Sequence, residues 1–583
     1  MDALRIANCS GFYGDRVSAA REMVDGGPID VLTGDWLAEL TMLILSRLRA
    51  KAPAAGYART FIAQMEQVMG DCLDRGITVV SNAGGLNPAG CAEAVAEVAE
   101  RLGLSPRIAY VAGDDLVPRW DELTAAGHTF PNLDTGETLA DRGVDVVTAN
   151  AYLGVWGIVE ALERGADIVI TGRVTDAAVV AAPAAWRFRW KRTDWDQLAG
   201  AIVAGHVIEC GGQATGGNYS FFSEVPGIAR VGFPIAEIEP DGSSVITKHP
   251  GDGGQVSVGT VTSQLLYEIG GPRYLNPDVI SRFDTIRLTE EAPDRVRITG
   301  TRGEPPPDTL KVAINFQGGF RNSFAFAITG LDVEGKAALI RRQIAPALAA
   351  IEQASVQLVR TDKDDPPTNE EAVALLRVTV KDRDERKVGR AFADRAVELA
   401  LTSIPGFFGI SGAPGPGQPF GVYWPATIPA DLVPQEVVVL GGETTVVDNT
   451  LGPFDPIEVV PAAVALQPVP NGPTRRAPLG LVAGARSGDK GGNANVGVFT
   501  RSAEAFAWLR QELTVERFRE LVMEARDLAV ERYELANLWS LNFVVVGLLE
   551  EGVAASTRQD GQAKGLGEYL RAKWVDIPES LLA

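Results

Sequence analysis

Short apolar runs rich in β-branched residues recur through the first 180 positions, each followed by a polar turn and then an amphipathic stretch. The runs 29–33, 77–81, 108–112, 144–148 and 167–171 have the length and composition of strands. Their alternation with helical patterns predicts βαβ units, and so a mostly parallel sheet with helices on its faces. In such a sheet the loops leaving the strands share one edge, the carboxyl edge, where open α/β folds bind ligands. Here those loops read Thr33-Gly34-Asp35-Trp36, Asn82-Ala83-Gly84-Gly85-Leu86-Asn87, Gly113-Asp114-Asp115, Asn150-Ala151-Tyr152 and Gly172-Arg173-Val174-Thr175-Asp176. Such loops are polar in any case, but five in succession predict a ligand site along that edge.

A longer apolar pattern places Leu198, Ile202 and His206 four residues apart, on one face of a helix that Thr193 or Asp194 can cap. Glu209 and Cys210 lie three and four positions beyond His206, so the three groups project together before Gly211-Gly212 stops the helix. Residues from about 220 to 330 read as strand-rich, with turns at Pro240-Asp241-Gly242, around His249 and at Pro305-Pro306-Pro307. Strands at 356–360 and 375–381 and a helix at 385–401 then indicate a second α/β or α+β unit, ending near the passage Gly412-Ala413-Pro414-Gly415-Pro416-Gly417. The proline-rich stretch 467–478, QPVPNGPTRRAP, reads as a linker. Beyond it come a glycine-rich turn at 487–493, helices at 503–513 and 515–532, and an apolar run at 541–549. The expected divisions are an α/β domain over 1–270, a second unit over 271–466, the linker, and a small α+β domain over 479–583.

Composition narrows the class. With 46% hydrophobic and 22% charged residues in 583, the chain reads as globular and multidomain. Its net charge of −21 argues against nucleic-acid binding and against anionic membrane surfaces, so an anionic ligand needs a local basic site. No run of about 18 apolar residues is present, and the opening MDALRIANCSGFYGDR lacks the pattern of a secretory signal. Cys9, Cys72, Cys91 and Cys210 are scattered, without a CxxC pair, which reads as reduced thiols and a cytoplasmic protein.

Candidate chemistry centres on the helix end. A helix C-terminus disfavours a thiolate and favours an imidazolium, so Cys210 reads as filler and His206 with Glu209 as the acid–base pair. The plain alternative is a His–Glu contact that only holds a helix end. Asp176 reads either as a helix cap or as a catalytic group, and Arg173 as a carboxylate or phosphate clamp. Asp35, Asp114 and Asp115 can act as bases, bind a metal or cap helices. Ser487–Asn495, SGDKGGNAN, reads as an anion-binding nest with Lys490 adding charge, or as a plain hairpin turn. His249, beside Lys248, reads either as a group that reaches the site or as an exposed turn histidine. There is no GxSxG, HExxH, zinc-spaced Cys/His set, GxGxxG or GxxxxGK[ST], so serine hydrolase, zinc enzyme, Rossmann dehydrogenase and P-loop readings lose support.

The motifs FYGD (12–15), TGDWLAELTM (33–42), SNAGGLNP (81–88), GRVTDAA (172–178) and GHVIECGGQATGGN (205–218) together resemble the AtuA family, named for acyclic terpene utilisation. The resemblance covers roughly residues 4–460, and ARSGDKGGNANVGV (485–498) is similar to the ferredoxin-like domain fused to such proteins. It implies a role in the breakdown of citronellol- and geraniol-type compounds through branched acyl-CoA thioesters. The expected function is an enzyme acting on a branched or unsaturated acyl-CoA or related carboxylate, by hydration, dehydration or C–C cleavage, without a bound cofactor or metal. His206, Glu209, Asp35 and Asp176 are the expected catalytic groups. Arg173, Asn82, Gly84, Gly85, Asn150, Gln213, Asn218, Lys490 and Ser487 are expected to bind substrate. The alternatives are a non-catalytic acyl-CoA-binding or assembly subunit and a metal-dependent lyase using Asp35, Asp114 and Asp115. A homo-oligomer is expected from the size class alone.

Overall fold

The computed structural model describes residues 2–410 and 414–582, so the Gly412-Ala413 pair of the proline- and glycine-rich passage lies outside the described residues. The chain forms a mixed α/β structure with a small C-terminal ferredoxin-like domain. Two compact units divide it: Met1–Asn315 with Tyr423–Ala583, and Phe316–Val422.

The larger unit is built on strands β1 (Leu4–Asn8), β2 (Val31–Gly34), β3 (Thr78–Ser81), β4 (Ile108–Ala112), β5 (Val146–Ala151), β6 (Ile168–Thr171), β7 (Pro234–Ile238) and β8 (Ser244–Lys248). Five of them run parallel in the order β1-β2-β3-β6-β4. Antiparallel strands extend the sheet on both sides, with β7 and β8 beyond β1 and Gln435–Val439 beyond β4. Four of the five expected strands stand in this sheet; β5 instead pairs with the long strand Thr309–Ile328. Leu4–Asn8, which the periodicity reading passes over, stands where the parallel strands meet the antiparallel β7.

Alternation along the strands assigns the faces. Ala7, Leu32, Val79, Ile168 and Ile170 share one core with the helices Arg59–Arg75 and Pro88–Leu102. Asn8 points the opposite way and donates a 2.9 Å hydrogen bond to the Glu209 carbonyl, so the end of the helix Trp195–Ile208 lies on the other face. That helix is buried on all sides from Leu198 to Ile208, because the sequence LAGAIVAGHVI is apolar around its whole circumference. Gly200 lets it touch the backbone of Gly242, where a Cβ would stand 2.1 Å from the carbonyl oxygen. Asp194 occupies the N-cap position without capping by its side chain, which accepts instead from the Lys191 amide.

The smaller unit is an antiparallel sheet of Gln353–Val359, Ala374–Asp382, part of Thr309–Ile328 and Phe407–Gly409, covered by Val333–Leu348 and Arg390–Thr402. Phe324, Phe326, Ile340, Val378 and Phe392 lie in its core. The helix expected at 385–401 is broken at Gly389, which takes a non-helical conformation between Glu385–Val388 and Arg390–Thr402. The span 271–466 contains this unit, and also Gln435–Val439, which belongs to the large sheet.

The C-terminal domain carries four antiparallel strands ordered Ala483–Lys490, Asn493–Thr500, Ser540–Val545, Val530–Leu535. The helix expected over 515–532 ends at Leu521, and Val530–Leu535 is a strand with Arg532 bonded to the Leu513 carbonyl. Phe518 stacks on Phe543 at 4.5 Å inside its core. Thr474–Pro478, the last part of the expected linker, pairs with Trp574–Pro578. Among the described residues, no helix is long and apolar enough to cross a membrane.

Candidate active site

The carboxyl ends of the parallel strands lead directly to buried polar groups. After β2, Asp35 accepts hydrogen bonds from the Leu37 amide (3.0 Å) and from Asn82 Nδ2 (2.5 Å), while Asn82 Oδ1 accepts from the Trp36 amide. After β4, Asp114 accepts from the Arg173 amide (2.9 Å) and from Asn150 Nδ2 (2.8 Å), so β5 delivers Asn150 to this edge from outside the sheet. After β6, the Arg173 guanidinium is 3% exposed, donates to the Leu37 carbonyl, pairs with Asp176 at 2.8 Å and covers the Tyr152 ring at 4.1 Å. Asp176 therefore turns toward Arg173 rather than capping the helix Ala178–Phe188.

The helix end enters the same region. His206 Nδ1 stands 3.4 Å from Glu209 Oε1, and the imidazole packs between Tyr274 (5.0 Å) and Phe283 (5.6 Å). Neither ring nitrogen makes a hydrogen bond of good geometry. Burial pulls the His206 pKa down to about 4, against the opposing influence of Glu268, the Leu265 backbone and Asp176. The expectation of an imidazolium is corrected: a helix C-terminus offers about 0.3–2 kcal/mol, less than the desolvation of a charged ring here, so His206 is neutral at pH 7. Burial, then Asp176 and Glu268, hold the Glu209 carboxyl well above the usual range. Asp35 is likewise raised by burial and by Asp176, and Asp176 itself is raised by burial despite Arg173. Burial also lifts Asp114 to about 7. The Cys210 thiol is pushed far up, by burial and then by Glu209 and Glu268, which agrees with its reading as filler.

Exposure reveals a chamber. Asp176 and Lys311 are enclosed by charged and aromatic neighbours, yet their side chains keep 30% and 40% of their accessible surface, and Glu268, beside Lys564, keeps 40%. Groups that are surrounded and still reached by water line an internal space. Lys311 Nζ lies 5.0 Å from the Tyr152 ring and 5.6 Å from Tyr423, with Glu39 at 3.5 Å. The C-terminal domain supplies the opposite wall. Lys490 Nζ reaches the Glu268 carbonyl, Lys564 pairs with Glu268 (3.2 Å) and Asp489 (3.3 Å) and bonds Tyr267, and Arg486 covers the Tyr267 ring. Asp489 is raised to about 7 by burial and by Glu268. Five cations, Arg173, Lys311, Arg486, Lys490 and Lys564, thus gather in a chain whose net charge is −21.

Residues 4–439 match the model of the acyclic terpene utilisation family protein AtuA. The chain belongs to the AtuA family. Its residues 477–576 match the AtuA ferredoxin-like domain. No curated protein and no solved structure matches it. Membership associates this AtuA chain with acyclic terpene utilisation, and the family motifs converge: the FYGD loop folds back through Asp15, which accepts from the Gly11 amide, and Gly11 lies against the Cys210 backbone.

Not every expected residue of this AtuA protein lines the chamber. Gly84 and Gly85 pack against protein, where an added Cβ would fall 2.5 Å from the Thr171 carbonyl oxygen and 2.4 Å from Leu45 respectively. Gln213 is engaged by Arg486, Ser487 bonds the Gly567 amide and Lys564 carbonyl, and Asn218 is exposed in a left-handed turn at φ 58°. SGDKGGNAN is a hairpin, with Lys490 paired to Asn493 across Gly491-Gly492. His249 is buried rather than in an open turn, its Nε2 2.8 Å from the Met23 carbonyl oxygen. Asp115 faces Arg49 and the Val117 amide, and among the described residues no three His, Cys, Asp or Glu side chains converge as metal ligands. Sequence reasoning missed Lys311, Glu268, Tyr267 and Lys564, and named Tyr152 only as part of a loop. Glu268 adopts φ 56°, a strained conformation for a non-glycine residue that no local sequence signal announces.

Proposed function

We propose that this AtuA protein is an enzyme of acyclic-terpene breakdown that binds an anionic branched or unsaturated acyl compound, as a carboxylate or a CoA thioester, in the chamber. The observation that carries this reading is the cluster of buried carboxyls, Asp35, Asp176 and Glu209, whose pKa values burial raises, beside cations in an enclosed but water-accessible space. A carboxylic acid kept neutral near pH 7 is a proton donor, and a neighbouring carboxylate is a base. Lys311 faces the chamber and suits the anionic end of the substrate. Arg173 acts from behind, holding Asp176 and the Leu37 turn.

In dehydration, Glu268 takes the proton at C2 of a 3-hydroxyacyl compound while Glu209 delivers one to the departing hydroxyl, which leaves as water. Hydration is the reverse, and C–C cleavage uses the same two transfers. His206, neutral and packed by aromatic rings, orients Glu209. The protein works in the cytoplasm, and the acyl compound is its small-molecule partner, with coenzyme A entering as part of the substrate. Purified protein is tested against a panel of enoyl- and 3-hydroxyacyl-CoAs and the matching free acids. Turnover that falls at least 100-fold in Glu209→Gln supports the reading. No turnover together with no binding of CoA esters or acids by calorimetry overturns it.

A further inference from the structure

Lys490 differs from the other amines of the chamber. Lys311 has Glu39, and Lys564 has Glu268 and Asp489, whereas Lys490 has no ion-pair partner among the described residues. Its polar contact is the Glu268 carbonyl oxygen at 3.3 Å. The amine is also fixed in place. It ends a strand at a two-residue turn, Gly491 takes φ 62°, and Asn493 donates to Asp134 (2.8 Å) while accepting from the Gly547 amide. Gly492 lies so close to the Glu550 carbonyl that a Cβ would stand 2.3 Å from its oxygen.

The charged groups facing Lys490 are Lys311, Glu268, Glu39 and Asp134. Burial and Lys311 bring its pKa down to about 8, with the three carboxylates opposing. A lysine enclosed beside a second cation is an activated nucleophile. We propose that the Lys490 amine is a covalent catalyst that adds to an aldehyde or ketone carbonyl of the substrate and forms a protonated imine. The inference rests on the acid–base reading above and narrows it to C–C cleavage, in substrates such as 3-oxo carboxylates or β-hydroxy ketones.

The step balances without an added reagent. The nitrogen lone pair forms the C–N bond as the carbonyl electrons move to oxygen. One amine proton passes to that oxygen, and a chamber carboxylic acid supplies the second, so the oxygen leaves as water. The C=N⁺H group then accepts the electron pair of the bond that breaks one carbon away, giving an enamine. A 3-oxo carboxylate loses carbon dioxide, and a β-hydroxy ketone loses its hydroxyl-bearing carbon as a carbonyl compound while the hydroxyl proton passes to the carboxylate left by the earlier transfer. Reprotonation at carbon and addition of water release the carbonyl product and restore Lys490.

The full-length protein is incubated at pH 7 with acetoacetate or, separately, hexanal, then treated with sodium cyanoborohydride and mapped by peptide mass spectrometry. At pH 7 an amine of pKa about 8 is neutral roughly 200-fold more often than an ordinary surface lysine near 10.4. The expected result is labelling at Lys490 at least about ten-fold above any other lysine, allowing for the weaker nucleophilicity of a less basic amine. It disappears in Lys490→Arg and falls in Lys311→Met, which removes the second cation. Competitive acetylation of the wild-type protein across pH 6–10 reads the amine's titration without any variant. Acetoacetate binding by calorimetry with no adduct at Lys490 overturns the imine and leaves the acid–base reading standing. An adduct at Lys490 with no turnover of any acyl compound keeps the amine and sinks that reading. Label spread evenly over exposed lysines, or neither adduct nor binding, overturns the covalent role.

Discussion

Arg173→Met isolates the charge that holds the chamber's acids together. The guanidinium is buried, pairs with Asp176 at 2.8 Å, donates to the Leu37 carbonyl at 2.9 Å and covers Tyr152. Methionine fills much of the space and removes the charge. Breaking a buried pair costs about 3–5 kcal/mol, and the lost bond to Leu37 and the cation–π contact fall within that figure because all three belong to one group. For a unit of roughly 480 residues, with an unfolding entropy near 1 kcal/mol/K, this is a fall in Tm of about 3–5 °C. The loss depends on pH. Asp35, Asp176 and Glu209 already have folded pKa values above their unfolded ones, so the folded protein binds more protons and loses stability as pH rises above about 4. Removing Arg173 raises them further, which enlarges the loss at high pH. Differential scanning calorimetry at pH 8 and pH 5 is expected to show a smaller Tm difference at pH 5 than at pH 8. A difference below about 1 °C, or one equal at both pH values, refutes the reasoning.

His206 is expected to stay neutral down to about pH 4, so its ring ¹⁵N signals should show no titration between pH 5.5 and 8; an inflection near 6.5 contradicts the desolvated site. Because its folded pKa is depressed, this histidine's contribution to stability is present above pH 6.5 and lost as pH falls toward 4, a loss that His206→Phe should remove. Glu268→Gly relieves a positive φ at the cost of a half-buried, water-reached ion pair with Lys564, so Tm should stay within about 2 °C while turnover or acyl binding collapses. Gly11→Ala is expected to lower Tm by several degrees or prevent folding, since its Cβ would meet the Cys210 backbone at 2.4 Å; unchanged Tm and activity would mean that the FYGD loop does not need this approach.

The candidate site was legible in part. The βαβ rhythm led to Asp35, Asn82, Asp114 and Arg173, because residues at strand carboxyl ends meet whenever the strands run parallel. Spacing along one helix joined His206 to Glu209. What those groups do was less legible. The imidazolium expected at a helix end became a neutral ring, since burial outweighs the helix dipole. Arg173, expected to clamp a ligand, turned inward on Asp176 and Leu37.

The sequence by itself determined the local features: alternating apolar runs, the all-apolar helix, the turn glycines and the family motifs. Each depends on neighbours a few residues apart, where periodicity and steric preference act. Tertiary structure alone decided that Lys311, Glu268, Lys490 and Lys564 share one chamber, with the C-terminal domain forming a wall. These residues lie up to 296 positions apart, and burial and charge coupling, which set their chemistry, exist only once the chain has enclosed them.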